Sequence, residues 1–233
     1  MSFLQSLVEE ATHLIYPHHC NGCGSDLLSK EQLLCVHCLR DLPYTHFANF
    51  ENNLIENIFY GRLDVKAAHS EYYFSKGQLV QQLIHQLKYK GNREIGHFLG
   101  EIMGDTLLKS NRFSHVDAII PLPMFADKEF KRGYNQATVL SNGISKTMNV
   151  PVLNGIIIRS RLTETQTRKH RAERWQNVDG SFSACNIEAL SGRNILLVDD
   201  VITTGASLEA CGKLILQAPG TTLSIATLAH ASK

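Results

Sequence analysis

Residues 194 to 207 read NILLVDDVITTGAS. Four aliphatic residues, Ile195 to Val198, run into two adjacent carboxylates, Asp199 and Asp200. A short aliphatic run of this kind is the mark of a strand buried on both faces. Two like charges at the end of such a strand repel, and partial desolvation raises the cost. The pair therefore implies a partner: a metal, a set of hydroxyls or a cationic side chain. Thr203-Thr204-Gly205-Ala206-Ser207 follows at once, and a helix is predicted from about Ala206 to Leu216. Free N–H groups and the dipole at a helix start attract anions. Gly205 allows a positive φ or a close backbone approach, and Thr203, Thr204 and Ser207 add hydroxyl donors. An anion cradle beside two acids fits a sugar phosphate. Its phosphate meets the amides, and its 2- and 3-hydroxyls donate to the carboxylates. Simple solvation of a strand end, or an N-cap, accounts for one Asp but not for the pair with its cradle.

Working outward, short strands alternate with helices. Strands are predicted at residues 69–74, 116–123, 156–158, 180–184, 195–198 and 222–231, and helices at 79–89, 95–108 and 137–148. This alternation argues an α/β fold with a mainly parallel sheet flanked by helices. Ligands of such sheets bind beyond the carboxyl ends of the strands, where the acids lie. KEFKRGYNQ, residues 128–136, reads as a basic, glycine-containing loop. Residues 44–66 read as a polar linker with an apolar patch at Leu54 to Tyr60. Lys88 and Lys90 close the 79–89 helix, and a solvated face is their default role.

Ahead of this body stands HHCNGCGSDLLSKEQLLCVHCLRDLP, residues 18–43, with two C-x2-C pairs, Cys20/Cys23 and Cys35/Cys38. Each pair makes a tight knuckle in which two thiolates converge, and two knuckles give the tetrahedral sulfur set that suits a structural Zn²⁺. A redox C-x2-C needs a thioredoxin-like setting that is absent here, and a disulfide pair needs an oxidising compartment. His18, His19 or His37 could replace one cysteine. The chain thus divides into residues 1–45, an N-terminal helix with a small zinc-ribbon-like module, and residues 46–233. Chelation is expected to loosen the first part and leave the sheet folded.

Charge says little about partners: 23 Lys and Arg face 22 Asp and Glu, so nothing points to nucleic acid or a membrane surface. No apolar run reaches the length of a membrane span. MSFLQSLVEEATHLIYP lacks the basic start of a secretion signal and has helical apolar spacing instead, so a cytoplasmic protein is expected.

VDDVITTGAS resembles the phosphoribosyl pyrophosphate (PRPP) signature of type I phosphoribosyltransferases. The chain as a whole resembles one branch of them, the competence-associated ComF family. The cysteine knuckles, QLIHQLKYKGN, AIIPLP, KRGYNQA and RLTETQTRKHRAERWQNV occur in the same order. The resemblance implies a type I phosphoribosyltransferase fold. It implies that Asp199 and Asp200 hold the ribose hydroxyls, and that Thr203, Thr204, Gly205, Ala206 and Ser207 hold the 5-phosphate. Lys131, Arg132 and Gly133 match the pyrophosphate-contacting loop. Residues 160–177 match the mobile loop over the reaction centre, with Arg171 and Gln166 as its functional groups and Arg159, Arg161, Arg168, Lys169 and Arg174 as further charge. Mg²⁺ would bridge pyrophosphate and sugar oxygens. Two functions follow: phosphoribosyl transfer to an acceptor, or a non-catalytic adaptor in DNA uptake or recombination. The adaptor would use the same site for sensing or for single-stranded DNA, and the zinc module to dock a helicase-like partner.

Overall fold

The computed structural model describes residues 18–27, 32–159 and 182–231; the expected N-terminal helix lies outside them. Its centre is a four-stranded sheet in the order β3-β8-β7-β4, with β3 at Ala67–Tyr73, β4 at Ala118–Pro121, β7 at Asn194–Ile202 and β8 at Thr222–His230. All three pairings are parallel, with Ile119 opposite Leu196, Leu197 opposite Ile225 and Ala68 opposite Ile225. The buried aliphatic run at Ile195 to Val198 follows from this arrangement. Leu196 and Val198 pack into the core on one face, and Ile195 and Leu197 into the core on the other. β7 is longer than the apolar run predicts. It continues through Asp199 and Asp200, because its ladder with β8 extends to Ile202 opposite His230.

The first face is covered by α3 (Leu79–Tyr89), α4 (Arg93–Lys109) and α6 (Gln136–Met148), through Leu83, Leu87, Leu99, Met103, Leu140 and Ile144. The second is covered by α2 (Leu54–Phe59) and α7 (Ala206–Ile215), through Ile55, Phe59, Leu208, Cys211 and Leu214. A two-stranded antiparallel pair, β5 (Ile157–Arg159) with β6 (Phe182–Ala184), flanks the carboxyl end of β4. Residues 44–66 are more ordered than a linker. Asn53 caps α2 through Oδ1, accepting from Ile55 and Glu56 N–H, and its Nδ2 donates to Ala68 O of β3. The preceding turn closes the exposed edge of β3: Thr45 N donates to Glu71 O and Tyr73 N to Pro43 O. A blunted edge removes a template for unwanted strand pairing.

KEFKRGYNQ differs from its expected form. Residues Ala126–Arg132 are a helix, α5, ending in Gly133 at φ 82°. Its acids, Asp127 and Glu129, fall in the first turn and its bases, Lys131 and Arg132, in the last. This order complements the helix dipole and outweighs the loop-like composition.

The cysteine module is β1 (His18–His19), β2 (Asp26–Leu27) and α1 (Val36–Arg40). It is not a separate lobe. Cys20, Leu34, Cys38 and Leu42 belong to the same core as Leu87 and Tyr72.

Helices α4 and α6 approach unusually closely, because glycine lies on both sides of the contact. A Cβ built on Gly100 would stand 2.3 Å from Leu140 O, and one on Gly143 would stand 2.3 Å from His97 O. Both neighbours are backbone and cannot swing aside. Gly100→Ala is therefore expected to cost about 2–3 kcal/mol, the scale of overpacking in a tight core, measured as a fall in denaturant midpoint without loss of cooperativity.

Candidate functional site

β7 delivers both acids to the carboxyl edge of the sheet, on opposite sides of the strand. Burial and the adjacent Asp200 push the Asp199 carboxyl up to about 8, against the opposing pull of Asp200 N–H, Lys88 and Arg159. Asp199 Oδ1 accepts from Asp200 N at 2.8 Å. Asp200 is buried and has a cationic partner: Lys88 Nζ from the last turn of α3 lies 2.8 Å from its Oδ2. Of the three kinds of partner the sequence left open, the structure supplies a cation. Lys88 is not a solvated lysine. It follows Ile84 by four residues, one turn along the buried stripe of α3, and that spacing was the available signal.

The chain leaves β7 at Ile202 and turns through Thr203 and Thr204, both exposed, into α7. Gly205 caps α7 in the left-handed region, φ 73°. A Cβ there would meet Ile58 and Phe59 of α2 at 2.8 and 3.0 Å, so α2 fixes the turn that presents the α7 amides. Ala206 is exposed and Ser207 half-buried at the start of this helix. Arg159 at the end of β5 reaches over this turn. Its Nη2 lies 3.4 Å from Ser207 Oγ, and its guanidinium sits 4.4 Å from the Phe125 ring and 5.0 Å from Phe182. Its Nε is buried with no hydrogen-bond partner among the described residues. A stacked guanidinium beside a helix N-terminus is suited to an anion.

Lys131, Arg132 and Gly133 lie at the carboxyl end of β4, beside α3. Asn135 ties this corner down: its Nδ2 donates to Leu122 O just past β4, and its Oδ1 caps α6. Arg132 sits over the Tyr89 ring, 5.6 Å from its centroid, and Arg93 donates to Gly133 O at 2.7 Å. Arg132 of the predicted pyrophosphate segment and Asp200 thus converge on one end of α3. Gln166 and Arg171, with Arg161, Arg168, Lys169 and Arg174, lie outside the described residues.

The four cysteines come together as expected. All four sulfurs lie within 4.8 Å of one another. Cys23 Sγ and Cys35 Sγ are 3.7 Å apart, close to the edge of about 3.8 Å that a tetrahedron of Zn–S bonds requires. Backbone N–H groups point at the sulfurs: Cys35 N at 3.2 Å and Gly22 N at 3.4 Å from Cys20 Sγ, and Cys38 N at 3.4 Å from Cys35 Sγ. Burial opposes ionisation of Cys20, but the N–H groups of Cys23, Cys35 and Gly22 outweigh it and lower its pKa. The Ser25 hydroxyl and amide hold Cys23 down to about 6. Burial and the neighbouring sulfurs push Cys38 up. Four thiolates at this spacing need a cation between them, so the residues fit Zn²⁺. No His is needed as a ligand. Among the described residues this is the one cluster of three or more metal-type side chains.

Two outcomes follow. The Asp199 carboxyl keeps its proton in the fold up to about pH 8, whereas in the unfolded chain it ionises near 3.8. Unfolding between these values releases a proton, so stability falls as pH rises across that window. Asp199→Asn is expected to stabilise the fold by at least about 1 kcal/mol at pH 8 and by less at pH 5, read by denaturant melts at the two pH values. Chelation of the cysteine site is expected to lower the unfolding temperature of the whole body, since Cys20 and Cys38 share its core. Near-ultraviolet circular dichroism, which reports the tyrosines of the sheet, should follow the same transition. This replaces the purely local loosening expected from sequence.

Comparison with known proteins agrees with this arrangement. Residues 133–233 match the family model "Phosphoribosyl transferase domain", and the sheet is the core of a type I phosphoribosyltransferase fold with a four-cysteine module attached. Competence protein F of Haemophilus influenzae is 30% identical over 197 residues, 84% of this chain and 83% of that protein. Competence protein ComFC of Bacillus subtilis is 25% identical over 218 residues, 92% of this chain and 85% of that protein. DNA utilization protein YhgH of Escherichia coli K12 is 29% identical over 142 residues, covering 59% of this chain and 61% of the relative. The chain belongs to the ComF family.

Proposed function

We propose that the protein binds PRPP or ribose 5-phosphate at the carboxyl edge of the sheet, and that it transfers the phosphoribosyl group to an acceptor. One observation carries the reading: a carboxylate pair, Asp199 half-buried and Asp200 buried, followed within three residues by an exposed turn into the amide end of α7. The amides of Thr203 to Ser207, with Arg159, receive the 5-phosphate. Asp199 and Asp200 accept from the ribose hydroxyls. Lys131, Arg132 and the Gly133 backbone meet the pyrophosphate, and Gln166 and Arg171 complete the site from the segment beyond Arg159. Mg²⁺, bound on the ligand's oxygens, would neutralise pyrophosphate charge. In the transfer, the bond from ribose C1 to the pyrophosphate oxygen breaks, and its electron pair leaves with pyrophosphate. The acceptor's lone pair forms the new bond to C1, and the acceptor loses a proton. The residues contribute charge neutralisation and exclusion of water rather than covalent chemistry.

The names of the relatives favour a second reading, a cytoplasmic adaptor in DNA uptake. It would keep the sugar-phosphate site for sensing or for single-stranded DNA, and use the zinc module, residues 1–45, to dock a helicase-like partner. Pyrophosphate release from PRPP, measured with a panel of nucleobases and amines, separates the two. Transfer predicts release with at least one acceptor and a loss of at least about 100-fold in Asp200→Asn, the scale of removing one electrostatic stabiliser. PRPP binding that Asp200→Asn abolishes, without release for any acceptor, supports the adaptor. Wild-type protein that binds neither PRPP nor ribose 5-phosphate overturns both.

A further inference from the structure

A dicarboxylate is a poor host for a polyanion. With Asp199 holding its proton, the charge left at the strand end is that of Asp200, which would repel the phosphates of the ligand proposed above, and this inference rests on that reading. Lys88 changes the balance. Its ammonium, 2.8 Å from Asp200 Oδ2, offsets the charge of that acid at the carboxyl edge of the sheet.

Lys88 is also unusually well fixed for a lysine. The last turn of α3 is gripped from two directions. From the cysteine module, Asn21 accepts at its backbone O from Gln86 Nε2 at 2.6 Å, and at its Oδ1 from Asn92 Nδ2 at 2.9 Å. Asn92 Nδ2 also donates to Gln86 Oε1 at 3.1 Å, while Asn92 Oδ1 caps α4 at Ile95 N. Asn21 lies between Cys20 and Cys23, inside the first knuckle. Gly22 of that knuckle lies so close to Cys38 Sγ and Leu79 Cδ1 that a Cβ would stand 2.7 Å from each. From the other side, Tyr134 OH donates to Leu87 O and Arg132 sits over Tyr89. Lys88 lies between these two anchored residues. The rotamer freedom a lysine loses in an ion pair is thereby reduced before any ligand arrives.

We propose that Lys88 is a positioning residue of the sugar-phosphate site, fixing Asp200 and offsetting its charge, and that the cysteine knuckle sets Lys88 in place through Asn21. The knuckle is then part of the binding apparatus rather than an appendage, acting through the amide contacts of Asn21 with Gln86 and Asn92. Neither Lys88 nor Asn21 falls within the stretch that matches the phosphoribosyltransferase model.

The test is calorimetric titration of the full-length, zinc-loaded chain with Mg²⁺–PRPP and, separately, with ribose 5-phosphate, each variant checked by thermal melt and zinc content. Lys88→Met is expected to weaken PRPP at least about tenfold, the effect of one lost charge partner. Lys88→Arg is expected to recover most of that loss. Asn21→Ala, with zinc retained, is expected to weaken PRPP by about threefold, the effect of a lost positioning hydrogen bond. If Lys88→Met does not fold, Lys88→Gln, which keeps a donor for Asp200 without the charge, carries the same expectation. Wild-type affinity in the neutral variant overturns the role of Lys88, and so does an Arg variant as weak as the Met one. Wild-type affinity in Asn21→Ala overturns the role of the knuckle. Failure of the wild-type chain to bind either ligand is a distinct result, which overturns the sugar-phosphate reading and this inference together.

Discussion

Carrying two carboxylates to the end of a strand that is covered on both faces is an expensive arrangement, and much of this molecule is organised around it. The strand must be buried to hold β3, β8 and β4 in one sheet, and the acids sit where that burial ends. The structure compensates in two ways. Asp199 stays protonated well above the usual carboxylate range, and Asp200 is paired with Lys88. The residual cost is the kind of local instability that sites retain when geometry serves a ligand rather than the fold.

That compensation reaches far from β7. Lys88 belongs to α3, whose end is held by an amide network from the cysteine knuckle and by the Arg132-Gly133-Tyr134 corner. Gly205, which would be assigned to a phosphate cradle alone, is also required by α2 packing against its α-carbon. The turn that presents the α7 amides is thus shaped from behind by the hydrophobic core. The cations that reach the signature, Lys88, Arg159 and Arg62, come from separate elements: Lys88 meets Asp200, Arg159 meets Ser207 and Arg62, just past α2, donates to Thr204 O. This division places charge around the site without adding it to the signature itself.

Much of this was legible in the chain. The aliphatic lead-in, the acid pair and the small-residue turn are contiguous, so spacing alone placed them at a strand end before a helix. The two C-x2-C pairs were legible for the same reason: each knuckle is a local turn. Misreadings arose where composition and context compete. KEFKRGYNQ has the residues of a loop, but the order of its charges stabilises a helix. Residues 44–66 look like a linker, but Asn53 can cap α2 and bond β3 only because the sheet edge is there to receive it. Lys88 was passed over because a lysine at the end of a helix is normally solvated.

By itself the sequence determined the local elements, the anion-ready turn, the sulfur cluster and the parallel α/β order, because each depends on neighbours a few residues apart. Only the tertiary structure decided which cation meets Asp200, that Arg159 reaches Ser207, and that the knuckle shares the core of the sheet. Those contacts join positions separated by some tens to more than a hundred residues in the chain. Pairings of that range are fixed by how helices pack on a sheet, which local periodicity does not encode.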